Sequence, residues 1–473
     1  MIIGREREIK ELRDAYDSDV SEFVAVYGRR RVGKTFLIRE TFQDQFIFQH
    51  AGIYRGKRKE QLEAFGDALS YAGLKDVKTP ENWKAAFNLL KDLILSSDSK
   101  RKVIFIDELS WMDTPRSDLI MALEHFWNSW ASARKDILLI VCSSVTSWMI
   151  NKIIHNKGGL YNRLTYRIHL EPFTLHECEL YVEKSHLEMS RYNIMEAYMI
   201  IGGIPYYWGF MKKEYSLSQN IDEMFFKWNA GLSNEFKYLF SSLFKNAEDY
   251  ITIIETLSSK ISGLSRNEIL EISGLKGSGD FSNKLEELEQ CGFIRSYVPY
   301  GNRKKDMKYQ LIDPFVIFHY HFLVGKSTDE HFWSNQLDTP RHNVWSGLAF
   351  ERICLLHINE IKKALGISGV QTEVYTWSCK EDLEKGLSGS QIDLVLERRD
   401  RVINLLEMKF SSGPYVITKD TDMDLRRKKN DFKTATKTKS AVHTTMITPY
   451  GLMKNAYAGD IQSEVTVEDL FKE

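Results

Sequence analysis

Short apolar runs alternate with longer amphipathic stretches through the first 170 residues. Phe23–Tyr27, Phe46–Phe48, Val103–Ile106, Ile137–Cys142 and Tyr166–Leu170 read as buried strands. Lys34–Phe42 and the stretches 59–74, 81–97 and 117–132 carry helical periodicity. Strands alternating with helices predict βαβ units and a mostly parallel sheet covered on both faces.

From 172 to 245 the pattern is helical and rich in aromatics, with one break at Gly202-Gly203-Ile204-Pro205. Residues 246–312 have a different rhythm. Tyr250–Leu257 reads as a helix, and Ser265-Arg266-Asn267-Glu268 as a capping box opening a second. A third helix stops at Cys291-Gly292, with Gly292 as its C-terminal cap. The runs Phe293–Val298 and Met307–Leu311 flank the turn at 300–303. Three helices followed by a hairpin is the order of a winged helix. Residues 313–344 form an aromatic, His-rich connecting helical segment. The remainder predicts a helix (345–365), three strands (370–377, 391–396, 402–410), a basic helix (419–437) and a strand (442–448).

Composition narrows the class. At 473 residues, about three domains are expected. Hydrophobic residues at 43% and charged residues at 27% exclude a long disordered chain. The formal net charge of −1 argues against a uniformly basic nucleic-acid binder but allows local patches. Five scattered cysteines without C-x-x-C spacing fit a reducing, cytoplasmic setting. No apolar run is long enough to span a membrane, so no membrane partner is expected.

Gly28-Arg29-Arg30-Arg31-Val32-Gly33-Lys34-Thr35 satisfies G-x-x-x-x-G-K-[ST], directly after a strand and opening a helix. Such a loop wraps phosphates with backbone N–H groups at a helix N-terminus. Lys34 supplies a point charge, and the Thr35 hydroxyl is a ligand for Mg²⁺. Val103–Asp107 is an apolar strand ending in Asp107-Glu108. Asp107 is expected to support Mg²⁺ and Glu108 to activate the attacking water. The two loops are expected on neighbouring strands. Ser144 follows the strand ending at Cys142. It either senses the γ-phosphate or caps a helix starting near Thr146. Arg163 is a candidate arginine finger, in cis or from a neighbouring subunit, or a solvated surface charge.

Ile3-Gly4-Arg5-Glu6-x-Glu8, the Gly28–Thr35 loop and Ile104-Phe105-Ile106-Asp107-Glu108 together resemble the archaeal-type ATPase family of AAA+/STAND-like P-loop proteins. The resemblance implies ATP and Mg²⁺ as cofactors. It places Gly4 and Arg5 against the base, and Gly203-Ile204-Pro205 on the adenine from helices acting as a lid. The chain departs from the family in two places. It has Cys142-Ser143-Ser144 where members usually read Cys-Gly-Ser, and Leu160-Tyr161-Asn162-Arg163 where they usually read Leu-Tyr-Gly-Arg.

The tail carries a second constellation. Asp393 lies in Gln391-Ile392-Asp393-Leu394-Val395-Leu396, and Glu407 and Lys409 lie in Leu405-Leu406-Glu407-Met408-Lys409-Phe410. Alternation puts Glu407 and Lys409 on one strand face. A hairpin with a turn over 397–402 brings Asp393 beside them. Two carboxylates suit Mg²⁺ or Mn²⁺, and a lysine can orient or deprotonate a nucleophile. Glu351 on the preceding helix completes the expected metal set, and Gln391 shares the face of Asp393. This pattern resembles the PD-(D/E)XK nuclease superfamily. More narrowly, 345–450 resembles the C-terminal domain of unknown function in the same ATPase family.

Basic clusters occur at Arg303, Lys304, Lys305 and Lys308, and along Lys419–Lys439. They are either phosphate contacts or solvated faces. His319, His321 and His331 lack acids at metal spacing and read as packing residues.

The expectation is an α/β protein. It comprises a P-loop NTPase parallel sheet (1–171), a helical lid (172–245), a winged-helix domain (246–312), the connecting segment (313–344) and a restriction-endonuclease-like α/β domain (345–473). Its expected work is ATP binding and hydrolysis coupled to a nuclease-like tail acting on DNA or RNA. An ATP-dependent signalling switch whose tail only binds nucleic acid or protein is the alternative. Oligomers follow if Arg163 acts in trans.

Overall fold

The computed structural model describes residues 2–156, 158–325 and 329–472. The chain divides into two compact units, Met1–Pro172 and Phe173–Glu473. No helix among the described residues is long and apolar enough to cross a membrane.

The first unit is built on β1 (Glu22–Tyr27), β2 (Phe46–Ala51), β3 (Lys102–Asp107), β4 (Ile137–Ser143) and β5 (Tyr166–His169). They form one parallel sheet in the order β2-β3-β4-β1-β5. Every residue of β4 is buried, as expected for a central strand covered on both faces. Phe23, Phe48, Phe65, Trp83, Phe87 and Phe126 fill one core with the helices Arg58–Tyr71, Trp83–Ser96 and Leu119–Ser129. Each such ring contributes about 1.5–3 kcal/mol by leaving water.

One expectation is corrected here. The strands bearing the phosphate loop and the acidic pair are not neighbours, because β4 lies between β1 and β3. The glycine loop and the helix Lys34–Phe42 carry Thr35 to Asp107, so the two chain ends meet although their strands do not pair.

The second unit begins with the helices Leu175–Lys184 and Arg191–Ile201. Gly202 ends the latter at φ 61°, and Pro205 opens the short helix Pro205–Trp208. A Cβ on Gly203 would lie 1.9 Å from the Phe173 carbonyl oxygen, so only glycine fits there. The break therefore has a local structural cause in both glycines and in the proline.

The helices Ala247–Ser258, Arg266–Ser273 and Gly279–Gln290 follow, then a hairpin of β7 (Ile294–Tyr297) and β8 (Lys308–Leu311). The short β6 (Leu264–Ser265) joins β8 antiparallel. Ser265 and Glu268 form the expected capping box, and Gly292 turns the chain at φ 73°. Between 313 and 339 the chain holds the short helix Pro314–Phe318 and a wider turn, His319–Leu323. The ring of His319 stacks on Phe236 at 4.0 Å, a packing role.

The C-terminal sheet has the order β13-β12-β11-β10-β9, with β9 (Thr372–Asp382), β10 (Leu387–Arg398), β11 (Val402–Met408), β12 (Ala441–Thr448) and β13 (Ser463–Thr466). β9, β10 and β11 run antiparallel, while β12 and β13 pair parallel to their neighbours. The helices Pro340–Leu356 and Lys419–Thr436 precede and interrupt these strands. The long helix expected over 345–365 starts earlier and breaks at His357, whose imidazole Nε2 lies 3.2 Å from the Leu175 N–H. The β10–β11 turn is tighter than expected, with Arg401 at φ 66°.

Candidate functional site

The glycine loop is shaped by close approach. Gly28 has φ 145°, and a Cβ there would lie 2.2 Å from the Leu170 carbonyl oxygen. Gly33 caps the following helix at φ 95°. Arg31 also takes a left-handed conformation, at φ 74°. Lys34 is only 5% exposed and donates to the carbonyls of Gly28 (2.8 Å) and Arg29 (2.9 Å). These contacts hold the ammonium inside the loop that the motif assigns to phosphate. Val32 is buried, and Arg30 lies over the Trp111 ring.

The acidic pair closes on this loop. The Thr35 hydroxyl donates to Asp107 Oδ2 at 2.7 Å. A hydroxyl beside a carboxylate is an all-oxygen donor set of the kind Mg²⁺ takes together with phosphate and water, so these residues fit the ion. Glu108 takes φ 47° and accepts from both the N–H (3.1 Å) and the hydroxyl (2.9 Å) of Ser144. Burial raises the Glu108 pKa, and the nearby Lys34 opposes that rise. Ser144 is therefore not the cap of the helix Thr146–Met149, whose N-cap is Val145. It sits at the end of β4, between the loop and the acids, because β4 is inserted there.

The remaining nucleotide candidates are spread more widely. Gly4 and Arg5 both have left-handed backbones, and the Arg5 guanidinium donates to the Glu171 carbonyl at 2.6 Å. That bond ties the N-terminal loop to the segment beyond β5. Arg163 is exposed on the turn after 158. Pro205 lies in the second unit.

In the C-terminal sheet, β10 and β11 pair as far as Leu394 and Leu406. Asp393 and Glu407 are the residues next beyond that last pair, and Asp393 lies in a bulge of β10 against β9. Gln391 donates to Asp393 at 2.6 Å. Lys409 pairs with Glu407 at 2.9 Å, as the alternation predicts. Glu351, on the helix Pro340–Leu356, is pushed up to about 7 by burial first and by the charge of Asp393 second, with Glu407 adding to the rise. The expected acids thus share one electrostatic neighbourhood. Among the described residues, no three acids, histidines or cysteines are grouped closely enough to hold one metal ion. Glu407 is held by two lysines. Lys428 donates to both of its carboxylate oxygens, at 3.0 and 2.9 Å, while Lys409 holds one of them.

Lys428 was not singled out from the sequence, because nothing distinguishes it from the neighbouring basic residues 426–429. That basic helix is also less free than its composition implies. Arg426 pairs with Asp422 and Asp460, and Arg427 with Asp424.

Comparison with known proteins bears on the first site. The chain is 25% identical over 433 residues to the uncharacterized protein MJECL04 of Methanocaldococcus jannaschii, covering 90% of this chain and 92% of that one. Its structure is similar to the Walker-type ATPase PABY2304 of Pyrococcus abyssi, at 16% identity and TM-score 0.47, over 67% of this chain and 95% of that one. The ORC2 protein of Aeropyrum pernix, solved as ADPNP–ADP complexes, aligns at 15% identity and TM-score 0.38, over 66% and 92% of the two chains. Residues 2–209 match the family model of an ATPase domain predominantly from Archaea. That match, on top of the loop and acid geometry, supports an archaeal-type, ATP-binding P-loop ATPase in the N-terminal part of the chain.

Proposed function

We propose that this ATPase couples ATP binding and hydrolysis to a nuclease-like C-terminal unit acting on nucleic acid. The observation that carries the first half is the convergence of Lys34, Thr35, Asp107 and Glu108 on one loop end. Lys34 and the loop Gly28–Thr35 bind the phosphates, and Thr35 and Asp107 hold Mg²⁺. Glu108 receives the proton of the attacking water, and Ser144 couples that carboxylate to the state of the site. Gly4 and Arg5 serve the base, and Arg163, being exposed, acts in trans within an oligomer. A reducing cytoplasm suits the five free cysteines.

The second half rests on Glu351, Asp393, Glu407 and Lys409 in a helix–three strands–helix–strand order. The unit at 246–312, read as a winged helix, brings nucleic acid to it. A second reading has a specific observation in its favour. Two lysines neutralise Glu407, which suits a tail that binds nucleic acid or a partner without cutting it.

Nucleotide binding and turnover test the ATPase assignments. Lys34→Ala is expected to abolish ATP binding. Glu108→Gln is expected to retain ATP while turnover falls about 10²–10⁴-fold, the usual contribution of a general base. Unchanged turnover in Glu108→Gln would sink the base assignment.

A further inference from the structure

Away from the nucleotide site, a cleft of about 450 Å³ opens between the 246–312 unit and the C-terminal sheet. Glu351, Gln391 and Asp393 line it from the C-terminal side, and Lys260, Tyr297 and Lys308 from the other. Its walls are fastened to each other. Arg352, next to Glu351, donates to the Ile261 carbonyl of the 246–312 unit at 2.7 Å. At the hairpin tip, the Tyr300 N–H donates to the Thr376 carbonyl of β9 at 2.8 Å, and its hydroxyl donates to Glu397 at 3.0 Å. The Tyr300 ring lies 5.2 Å from both Tyr375 and Phe432. The hairpin is thus a built wall of the cleft.

The two walls differ in charge. Lys260 is 45% exposed and makes one surface pair, with Glu268 at 3.1 Å. Such an exposed pair is weak and yields to a better anion. Lys308 makes no ion pair among the described residues. Cavities of roughly 300–1,000 Å³ enclose one drug-sized ligand, the scale of one or two nucleotides. A cleft of that volume receives part of one strand and not a base-paired duplex.

We infer that the cleft takes one nucleic-acid strand, with Lys260 and Lys308 on its phosphates and Asp393 and Glu351 facing it from the opposite wall. The substrate class is therefore single-stranded nucleic acid, or a strand end freed from its partner. The inference rests on the proposed nucleic-acid role of the acid cluster and adds to it a substrate class and two positioning lysines from outside the C-terminal sheet.

Fluorescence anisotropy of the full chain tests it, using labelled DNA and RNA strands of about 12 nucleotides and the matching blunt duplexes. Either single strand is expected to bind at least about tenfold more tightly than its duplex, and the tighter of the two identifies the sugar. In Lys260→Ala/Lys308→Ala, strand affinity is expected to fall about tenfold. The slope of log K against log salt should become shallower by about 1.4, from two lost phosphate contacts at roughly 0.7 each. Lys260→Arg/Lys308→Arg is expected to keep both, which separates lost charge from a misfolded wall. Duplex preference, or an unchanged slope in the alanine variant, overturns the inference. Products in Mg²⁺ are scored separately. Strand binding without products removes the cleavage reading and leaves the cleft. Products with lysine-independent binding remove the cleft.

Discussion

Glu108 sits in a left-handed backbone at φ 47°, which costs a non-glycine residue about 1–2 kcal/mol. That strain aims the carboxylate at Ser144 and the loop. Comparing two variants isolates it, since both remove the carboxylate. Glu108→Gly is expected to be about 1 kcal/mol more stable than Glu108→Ala in urea unfolding, because only alanine keeps the backbone penalty. Equal midpoints would show that the loop relaxes without cost. Gly28→Ala acts in the opposite sense. Its Cβ would lie 2.2 Å from the Leu170 carbonyl oxygen, so nucleotide binding is expected to vanish with a loss of roughly 1–3 kcal/mol. Glu351 gives a pH signature. Its folded pKa of about 7 exceeds the ordinary glutamate value near 4.3. Between those values the folded chain keeps a proton that the unfolded chain releases, so this group's contribution to stability falls as pH rises. Glu351→Gln is therefore expected to melt above the wild type at about pH 8 and level with it near pH 4. Parallel melting profiles across that range would contradict the burial of this acid.

At the scale of elements, the capping box of Arg266–Ser273 is the clearest device. Ser265 accepts from the Glu268 N–H, and the Glu268 carboxylate accepts from the Ser265 N–H at 2.7 Å. That backbone bond, with Lys260 nearby, holds Glu268 at about 2. A lowered carboxylate stabilises above the unfolded pKa and loses its effect as pH falls below it. Ser265→Ala is expected to cost about 1 kcal/mol, read by chemical denaturation. This box was legible because its two members are local in sequence. So were the glycine loop, the Asp107-Glu108 pair and the Glu407/Lys409 alternation, each set by spacing along a single element. What sequence hid depends on partners far along the chain. The insertion of β4 between β1 and β3 is a matter of pairing order, and an apolar run carries no address for its neighbour. Lys428 reaches Glu407 only because the helix Lys419–Thr436 is docked through Asp431, which accepts from Ser388 and Ser390 on β10. β13 and the short helix Val467–Leu470 escaped because neither is long enough to show a period.

For the whole molecule, the net charge of −1 hides segregation and also mutual neutralisation. The basic helix spends Arg426, Arg427 and Lys428 on acids, leaving the hairpin lysine Lys308 without an ion pair among the described residues. The nucleotide site lies in the first compact unit and the acid cluster in the second. In the proposed function, ATP at one governs nucleic-acid chemistry at the other. The most direct measurement is cleavage of a labelled single strand by the full chain in Mg²⁺, with ATP, without nucleotide, and with Glu108→Gln. Products that depend on ATP, change with Glu108→Gln and disappear in Asp393→Ala are the predicted result. Strand binding with no products under any nucleotide condition, or products indifferent to both ATP and Asp393, would contradict it.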